Sequence, residues 1–464
     1  MRMPGLIFLV SVALAAPVQS APDTWRITAH KMYTDVIGMP TVTEKNGAKQ
    51  MADYLAEVFR KAGFAEQNIR VLPYANTAAL MVRLPATGKA TARPMLLLAH
   101  MDVVDALDSD WTKPPFKLIE EAGYFYGRGT NDNKAGAVAI VTTLLRLHQE
   151  GFKTNRDLIL FFTGDEETDG VGAAHMVGDW RDLLLNAEFA LNSDAGQGDF
   201  LANGKALGFG LQTAEKTYAS FSFTASNRGG HSSVPRPDNA IYALANALAN
   251  LSAYRFPAML NETTKATLIS LIPQYPGDVG EAIRDFTADV ANTAAADRIE
   301  NEETLIGKTR TTCVATMLTG GHAENALPQT AVATVNCRIF PGVTRESVRA
   351  KLAELAGKDI DVAPVPGGTP ETDASPLRKD IMSAFTAGVY ARFPGVNVVP
   401  YMSSGATDGA YLRAAGIPTY GVDGMWGITP DDDRSHGRDE RVPVEAFYGN
   451  LDHWYVMLTM LGRK

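Results

Sequence analysis

Apolar residues in this chain gather in short runs that end in polar, metal-competent side chains. Met95-Leu96-Leu97-Leu98-Ala99 ends in His100-Met101-Asp102, and Leu158-Ile159-Leu160-Phe161-Phe162-Thr163 ends in Asp165-Glu166-Glu167. Phe189-Ala190-Leu191-Asn192 ends in Ser193-Asp194. Short apolar runs bounded by turn residues read as buried strands. Between them, Lys45 to Ala62 and Lys134 to Gln149 carry a helical period and stop at Gly63 and Gly151, where a helix end favours glycine. Strands alternating with helices from Trp25 to Gln212 predict a mostly parallel sheet, whose ligands bind at the carboxyl ends of its strands. One imidazole and several carboxylates at three such ends suggest a cation site.

From about Glu215 the pattern changes. Tyr218 to Ala225 alternates like a half-buried strand, Asn239 to Leu251 is a helix, and Thr311 to Leu318 and Thr330 to Phe340 are two further strands around a Gly-Gly-His and Leu-Pro turn. A helix from Arg345 to Ala356 and a strand near Ile360 follow. That order predicts a compact, ferredoxin-like α+β sandwich open on one face. An Ala-, Thr- and Asp-rich helical stretch between Tyr254 and Arg310 reads as an insertion within it. After about Glu371 the first pattern returns, with a helix over Leu377 to Ala391 and a helix at the C-terminus. The expectation is an α/β catalytic domain at 21–214 and 371–464, interrupted by a domain at 215–370.

Composition narrows the function classes. A chain of 464 residues suits two domains, and 45% apolar residues fit a packed globular protein. A net charge of −9 argues against nucleic acid or an anionic membrane surface as partner. Arg2, the apolar stretch Leu6 to Ala16, and Val18 and Ser20 before Ala21 read as a secretory signal peptide at 1–20; the alternative is a buried N-terminal helix. No later run is long enough to span a bilayer. The expectation is a mature protein exported to a periplasm or the medium, without membrane contact. Cys313 and Cys337 lack metal-ligand spacing. They lie in neighbouring predicted strands, and both a disulfide and two buried thiols stay open.

Taken singly, each polar cluster has a plain structural reading. His100-x-Asp102 describes a strand end, although a carboxylate two residues on can orient a metal-binding imidazole. Asp132, in Gly-Arg-Gly-Thr-Asn-Asp-Asn-Lys just before a helix, suits an N-cap. Asp165, Glu166 and Glu167 suit a solvated acidic turn, yet like charges at a sheet end need positive compensation. Asp194 before Ala195-Gly196 suits a turn, and His436 a polar loop. Together, two His, two Asp and a Glu suit two Zn²⁺ ions roughly 3.5–4 Å apart that share a carboxylate. A further Glu would serve as general base. The absence of Cys ligands fits a catalytic zinc site.

The chain resembles the zinc exopeptidase family that includes carboxypeptidase S, aminoacylase-1, dipeptidases and bacterial glutamate-releasing carboxypeptidases. The resemblance runs from His100 to His436 through L-L-A-H-M-D-V-V, G-R-G-T-N-D-N-K-A-G, T-G-D-E-E-T-D-G, N-S-D-A-G, G-G-H-S-S-V-P and S-H-G-R-D-E. It implies that His100, Asp132 and Asp194 bind one zinc and that Asp132, Glu167 and His436 bind the other, with Asp132 bridging. It further implies that Asp102 orients His100, that Glu166 is the general base, and that Co²⁺ or Mn²⁺ can substitute for Zn²⁺. His231 corresponds to a histidine that reaches the active site to stabilise an oxyanion, in many relatives across a dimer interface. Asn325, Arg338 and Gly405 correspond to substrate contacts, Arg338 gripping a carboxylate. Ala195 departs from the usual pattern, in which an acid follows the aspartate. The insertion leans towards carboxypeptidase S-like members.

The resemblance thus implies a di-zinc hydrolase cleaving an amide next to a free carboxylate in a short peptide. The alternatives are an N-acyl amino acid amidohydrolase and, remotely, a non-catalytic binding homologue. A homodimer through the inserted domain is implied as well. Neither a G-x-S-x-G elbow nor an H-E-x-x-H helix is present.

Overall fold

The computed structural model describes residues 22–42 and 46–463. The expected signal peptide lies outside the described residues, as does the first residue of the helix expected from Lys45; that helix is observed over Gly47–Lys61. In chain order the first strands of the main sheet are β1 (Ile69–Tyr74), β2 (Thr77–Leu84), β3 (Met95–His100), β4 (Leu158–Thr163), β5 (Phe189–Phe200) and β6 (Ala206–Glu215). A second group follows: β7 (Thr217–Ser226), β8 (Thr312–Gly320), β9 (Thr330–Ile339) and β10 (Ile360–Pro364). The chain then returns through β11 (Val398–Ser403) and β12 (Thr419–Ile428).

The main sheet has the order β1-β2-β4-β3-β5-β12-β6-β11. Its centre, β4, β3, β5 and β12, is parallel. The β1–β2 hairpin forms one antiparallel edge, and β6 joins antiparallel to β5. Every residue of β3 and β4 is buried, as continuous apolar runs in a covered parallel sheet should be. Alternate residues point to opposite faces. Leu97, Leu158 and Leu160 join one core with the helices Asp23–Ile37, Gly47–Lys61, Lys134–Gln149 and Val444–Gly462. Leu96, Leu98, Ile159 and Phe161 join another with Met176 and Leu412. The fold is therefore a mostly parallel α/β sheet flanked by helices.

The second sheet is antiparallel, in the order β8-β9-β7-β10. The helices Ala240–Ala253 and Arg345–Ala356 bury Leu244, Leu251, Val348 and Leu352 against Phe221, Phe223 and Val335. Cys313 and Cys337 stand directly opposite each other on β8 and β9 and form a disulfide. The insertion has a core of its own around Leu268, Ile283, Phe286 and Ile299. It also leans on the main sheet: Thr263 hydrogen-bonds Thr213 of β6 at 2.6 Å, and Thr267 donates to the Pro400 carbonyl of β11 at 2.7 Å. The sequence pattern had placed it within the smaller unit alone; here it also covers the edge of the larger sheet, where unpaired backbone needs protection. Among the described residues no helix is long and apolar enough to cross a membrane.

Two local expectations change. Asp194 does not end a strand or make a turn; β5 continues through it to Phe200. Pairing with β3 stops at Asn192, while β12 keeps pairing beyond it, so Asp194 sits where β3 leaves room beside β5. Asp132 is not an N-cap, since Asn133 holds that position at the Lys134–Gln149 helix.

Candidate metal centre

The end of β3 delivers His100, only 1% exposed. Its Nδ1 lies 3.0 Å from the Asp102 backbone carbonyl, and its Nε2 lies 3.0 Å from Asp132 Oδ1 and 3.5 Å from Asp194 Oδ1. A carbonyl can only accept, so Nδ1 carries the proton and Nε2 turns its lone pair towards two carboxylates. Only a doubly protonated ring or a shared cation resolves that contact. The other side repeats it: His436 Nε2 is 3.3 Å from Asp132 Oδ2 and 2.9 Å from Glu167 Oε2. Asp132 therefore offers one oxygen to each histidine. The described residues gather into two overlapping sets able to hold a cation, His100 with Glu166 and Asp194, and His100 with Asp132 and Glu167.

The backbone that sets this geometry is tightly fixed. At Gly136 a Cβ would meet the Ser193 side chain at 2.6 Å, so only glycine lets the Lys134–Gln149 helix abut β5 and bring Asp132 beside Asp194. At Gly164 a Cβ would lie 2.4 Å from Thr77 Oγ1, which keeps the turn after β4 close to β2. The Asp102 carboxylate accepts the backbone amides of Glu166 at 3.1 Å and Glu167 at 3.0 Å. Asp102 thus reaches His100 Nδ1 through its carbonyl at 3.0 Å and through Oδ1 at 3.6 Å, while the same carboxylate holds the acidic turn. Asp165 faces away and accepts from Tyr74 Oη and the amides of Val171 and Gly172.

Charge is crowded here. Burial raises the Glu166 pKa well above the usual carboxylate range, and the Asp194, Asp408 and Glu167 charges add to it against His100. Burial likewise raises Asp194. Asp132 goes the other way: despite burial, hydrogen bonds from His100 and His436 lower it when those rings carry their second proton. Hydrogen bonds to Asp132 and Glu167 push His436 up to about 10. Four carboxylates compensated only by two imidazoles, all from oxygen and nitrogen donors, fit divalent cations such as zinc.

A cavity of about 530 Å³ opens over this cluster, lined by Asp132, Glu166, Glu167, Asp194 and His436 and walled by Tyr401, Gly405 and Thr407. Gly405 is thus part of it. His231 and Asn325 are not. They are exposed neighbours at the end of the short 230–231 and 326–327 ladder, His231 within it and Asn325 just before it, where the Ser232 amide donates to the Asn325 carbonyl. Arg338 stands behind the cavity wall, donating to the Ser404 carbonyl at 3.0 Å with its guanidinium over the Tyr218 ring.

Two residues of this neighbourhood were not singled out from sequence. Glu440, fully buried, accepts from Arg128 Nη1 at 2.7 Å and from the amides of Gly129, Asn131 and Asp132, which holds the loop that carries Asp132. Asp408, buried and accepting from Thr163 Oγ1, is pushed up to about 8 mainly by burial. Both sit inside recognisable blocks, S-H-G-R-D-E and S-S-G-A-T-D-G, but nothing in the blocks shows what either side chain touches.

A family description of peptidase family M20/M25/M40 matches residues 96–459. The chain belongs to that family. It is 26% identical over 452 residues to human N-fatty-acyl-amino acid synthase/hydrolase PM20D1, covering 91% of this chain and 85% of the relative. The M20 family metallo-carboxypeptidase Sso-CP2 from Sulfolobus solfataricus has the same fold, with a TM-score of 0.68 at 18% identity over 93% of this chain and 98% of that one. So does the Bacillus subtilis YXEP protein, described as a dinuclear metal-binding peptidase of family M20, with a TM-score of 0.60 at 12% identity over 95% and 99% of the two chains. Membership makes this chain a hydrolase of the metallopeptidase and amidohydrolase type.

Proposed function

We propose that the protein is an exported di-zinc hydrolase that cleaves an amide bond next to a free carboxylate in short peptides. The observation that carries the reading is Asp132, whose two oxygens face His100 and His436 at 3.0 and 3.3 Å. One zinc would be held by His100, Asp132 and Asp194, the other by Asp132, Glu167 and His436; Co²⁺ or Mn²⁺ would serve in their place. Bound zinc lowers the pKa of water and polarises a carbonyl oxygen. Glu166 takes the proton from the attacking water and delivers it to the leaving amine. Asp102 keeps His100 and the Glu166–Glu167 turn in place, and Gly405 lines the substrate's path; Arg338, which stands behind that wall on the second sheet, would receive the substrate carboxylate only with a movement of its unit. His231 and Asn325 stand exposed on the second sheet's unit, at 215–370. They would reach the cavity by closure of that unit or from a second copy paired through it.

Export is supported by the Cys313–Cys337 disulfide, since disulfides persist in oxidising compartments. A second reading, hydrolysis of N-acyl amino acids, is favoured by the likeness to an N-fatty-acyl-amino acid synthase/hydrolase. A panel of dipeptides, longer peptides and N-acyl amino acids, assayed for amine release, separates the two. Glu166→Gln is expected to keep its zinc and lose nearly all turnover on whichever class is preferred. Full turnover in that variant would remove Glu166 as the base, and no chelator-sensitive hydrolysis of any member would overturn the proposal.

A further inference from the structure

The cavity over the metal centre has a wall that the proposed hydrolysis leaves unused. Tyr401, on β11, lays its ring against Gly210 of β6, where a Cβ would meet the ring carbons at 2.7 Å. Only glycine at 210 leaves that space, so the sheet itself sets the ring's direction. The phenol oxygen reaches β5 and accepts the Gly196 amide at 3.3 Å. Gly196 is fixed in turn, because a Cβ on it would collide with the Asp423 amide of β12. The hydroxyl therefore stands two residues beyond Asp194, about 7 Å along the strand. Tyr401, Gly196 and Asp194 all line the one cavity.

The hydrogen of this hydroxyl has no acceptor among the described residues. Other neutral donors of the wall are engaged: Asn131 donates to Ser435 Oγ at 3.0 Å, Gln197 to Asn131 Oδ1 at 3.4 Å, and Thr407 to Glu215 at 3.0 Å. Burial pushes the Tyr401 pKa up to about 12, with the Asp199, Asp194 and Glu215 charges adding to it against the Gly196 amide. The phenol thus keeps its proton at neutral pH, and an amide donating into its oxygen makes the O–H a stronger donor. His231, to which the resemblance gives the oxyanion, stands exposed outside this cavity.

We propose that Tyr401 is a catalytic residue whose hydroxyl donates to the carbonyl oxygen of the scissile amide and holds it more tightly once that oxygen carries negative charge. The inference rests on the proposed hydrolysis. Water adds to the carbonyl carbon, its proton passes to Glu166, and the carbonyl π pair becomes the charge on the oxygen. The carbonyl re-forms as the amine leaves with the proton from Glu166, and Tyr401 keeps its own proton throughout. A donor that strengthens only as charge develops acts on kcat rather than on KM.

Tyr401→Phe keeps the ring on Gly210 and removes only the hydroxyl. In the zinc-loaded mature protein it is expected to lower kcat about 100-fold, the worth of one oxyanion donor, with KM and zinc content nearly unchanged. A second readout is binding alone. A phosphinate isostere of the best-hydrolysed panel member, tetrahedral at the reacting centre, is titrated calorimetrically into the wild type and Tyr401→Phe. The uncleaved substrate is titrated into Glu166→Gln with and without Tyr401→Phe. The phosphinate is expected to bind at least tenfold more weakly without the hydroxyl, and the substrate equally well. Equal weakening of both makes the hydroxyl a ground-state contact and overturns the proposal, as does phosphinate binding that Tyr401→Phe leaves unchanged. A wild type that hydrolyses no panel member fails the proposed function and this inference with it; full turnover in Tyr401→Phe fails this inference alone.

Discussion

Glu440→Gln exchanges one carboxylate oxygen for an amide nitrogen at a position with no solvent exposure. In the protein one Glu440 oxygen accepts from Arg128 and Gly129, and the other from Asn131 and Asp132. A glutamine can keep only one of these pairs, because its NH₂ group points donor-to-donor at the other. Arg128, 2% exposed, then loses its only ion-pair partner among the described residues. An uncompensated buried charge destabilises by about 3–5 kcal/mol. The Asp132 loop also loosens, and losing an outer partner of a metal ligand weakens metal affinity by about 10–100-fold. Urea unfolding of the metal-free protein reads the first effect, and zinc competition against a chromogenic chelator reads the second. Arg128→Met combined with Glu440→Gln should recover much of the stability but little of the zinc affinity. A single variant with unchanged stability and unchanged affinity would refute the idea that Glu440 holds the Asp132 loop.

Arg338→Ala is expected to raise KM by about 10–100-fold, the worth of a charged hydrogen-bond pair, for substrates with a free carboxylate, leaving kcat nearly intact as loss of uniform binding requires; amidated substrates should be indifferent. His453 is buried against Gly388 and Gly424, and burial, with help from Arg392, pushes its pKa down to about 3. An unfolded imidazole titrates near 6.5, so below about pH 6.5 the unfolded chain takes a proton that the folded chain refuses. Stability should therefore fall as pH drops from about 6.5 towards 3. His453→Gln should flatten that part of the profile, and an unchanged slope in urea unfolding would argue against a neutral buried His453.

The strand ends were legible because apolar runs that stop at polar residues are a local signal. The Lys134–Gln149 and Arg345–Ala356 helices appear with the bounds their periodicity predicted. Five of the six ordered blocks meet at one cluster, bringing His100, Asp132, Glu166, Glu167, Asp194 and His436 together, while the sixth leaves His231 exposed outside it. What stayed hidden depends on contacts distant in sequence. The passage of β5 through Asp194 depends on where β3 stops, 90-odd residues away in the chain. The role of Glu440 depends on four donors more than 300 residues upstream. The leaning of Thr263 and Thr267 on β6 and β11 follows from the packing of an insertion whose pattern reads only as amphipathic helix. The pairing of Cys313 with Cys337 needed the β8–β9 register, which two strand assignments do not supply.

The central claim is that Asp132 is shared between two cations on which hydrolysis depends. Stepwise addition of zinc to the chelated mature protein, with bound metal and amine release measured on the same samples, tests it most directly. The account predicts two equivalents of zinc per chain, turnover that rises with them, and loss of both in Asp132→Ala. Turnover in the metal-free protein, or full activity with two zinc ions still bound in Asp132→Ala, would contradict it.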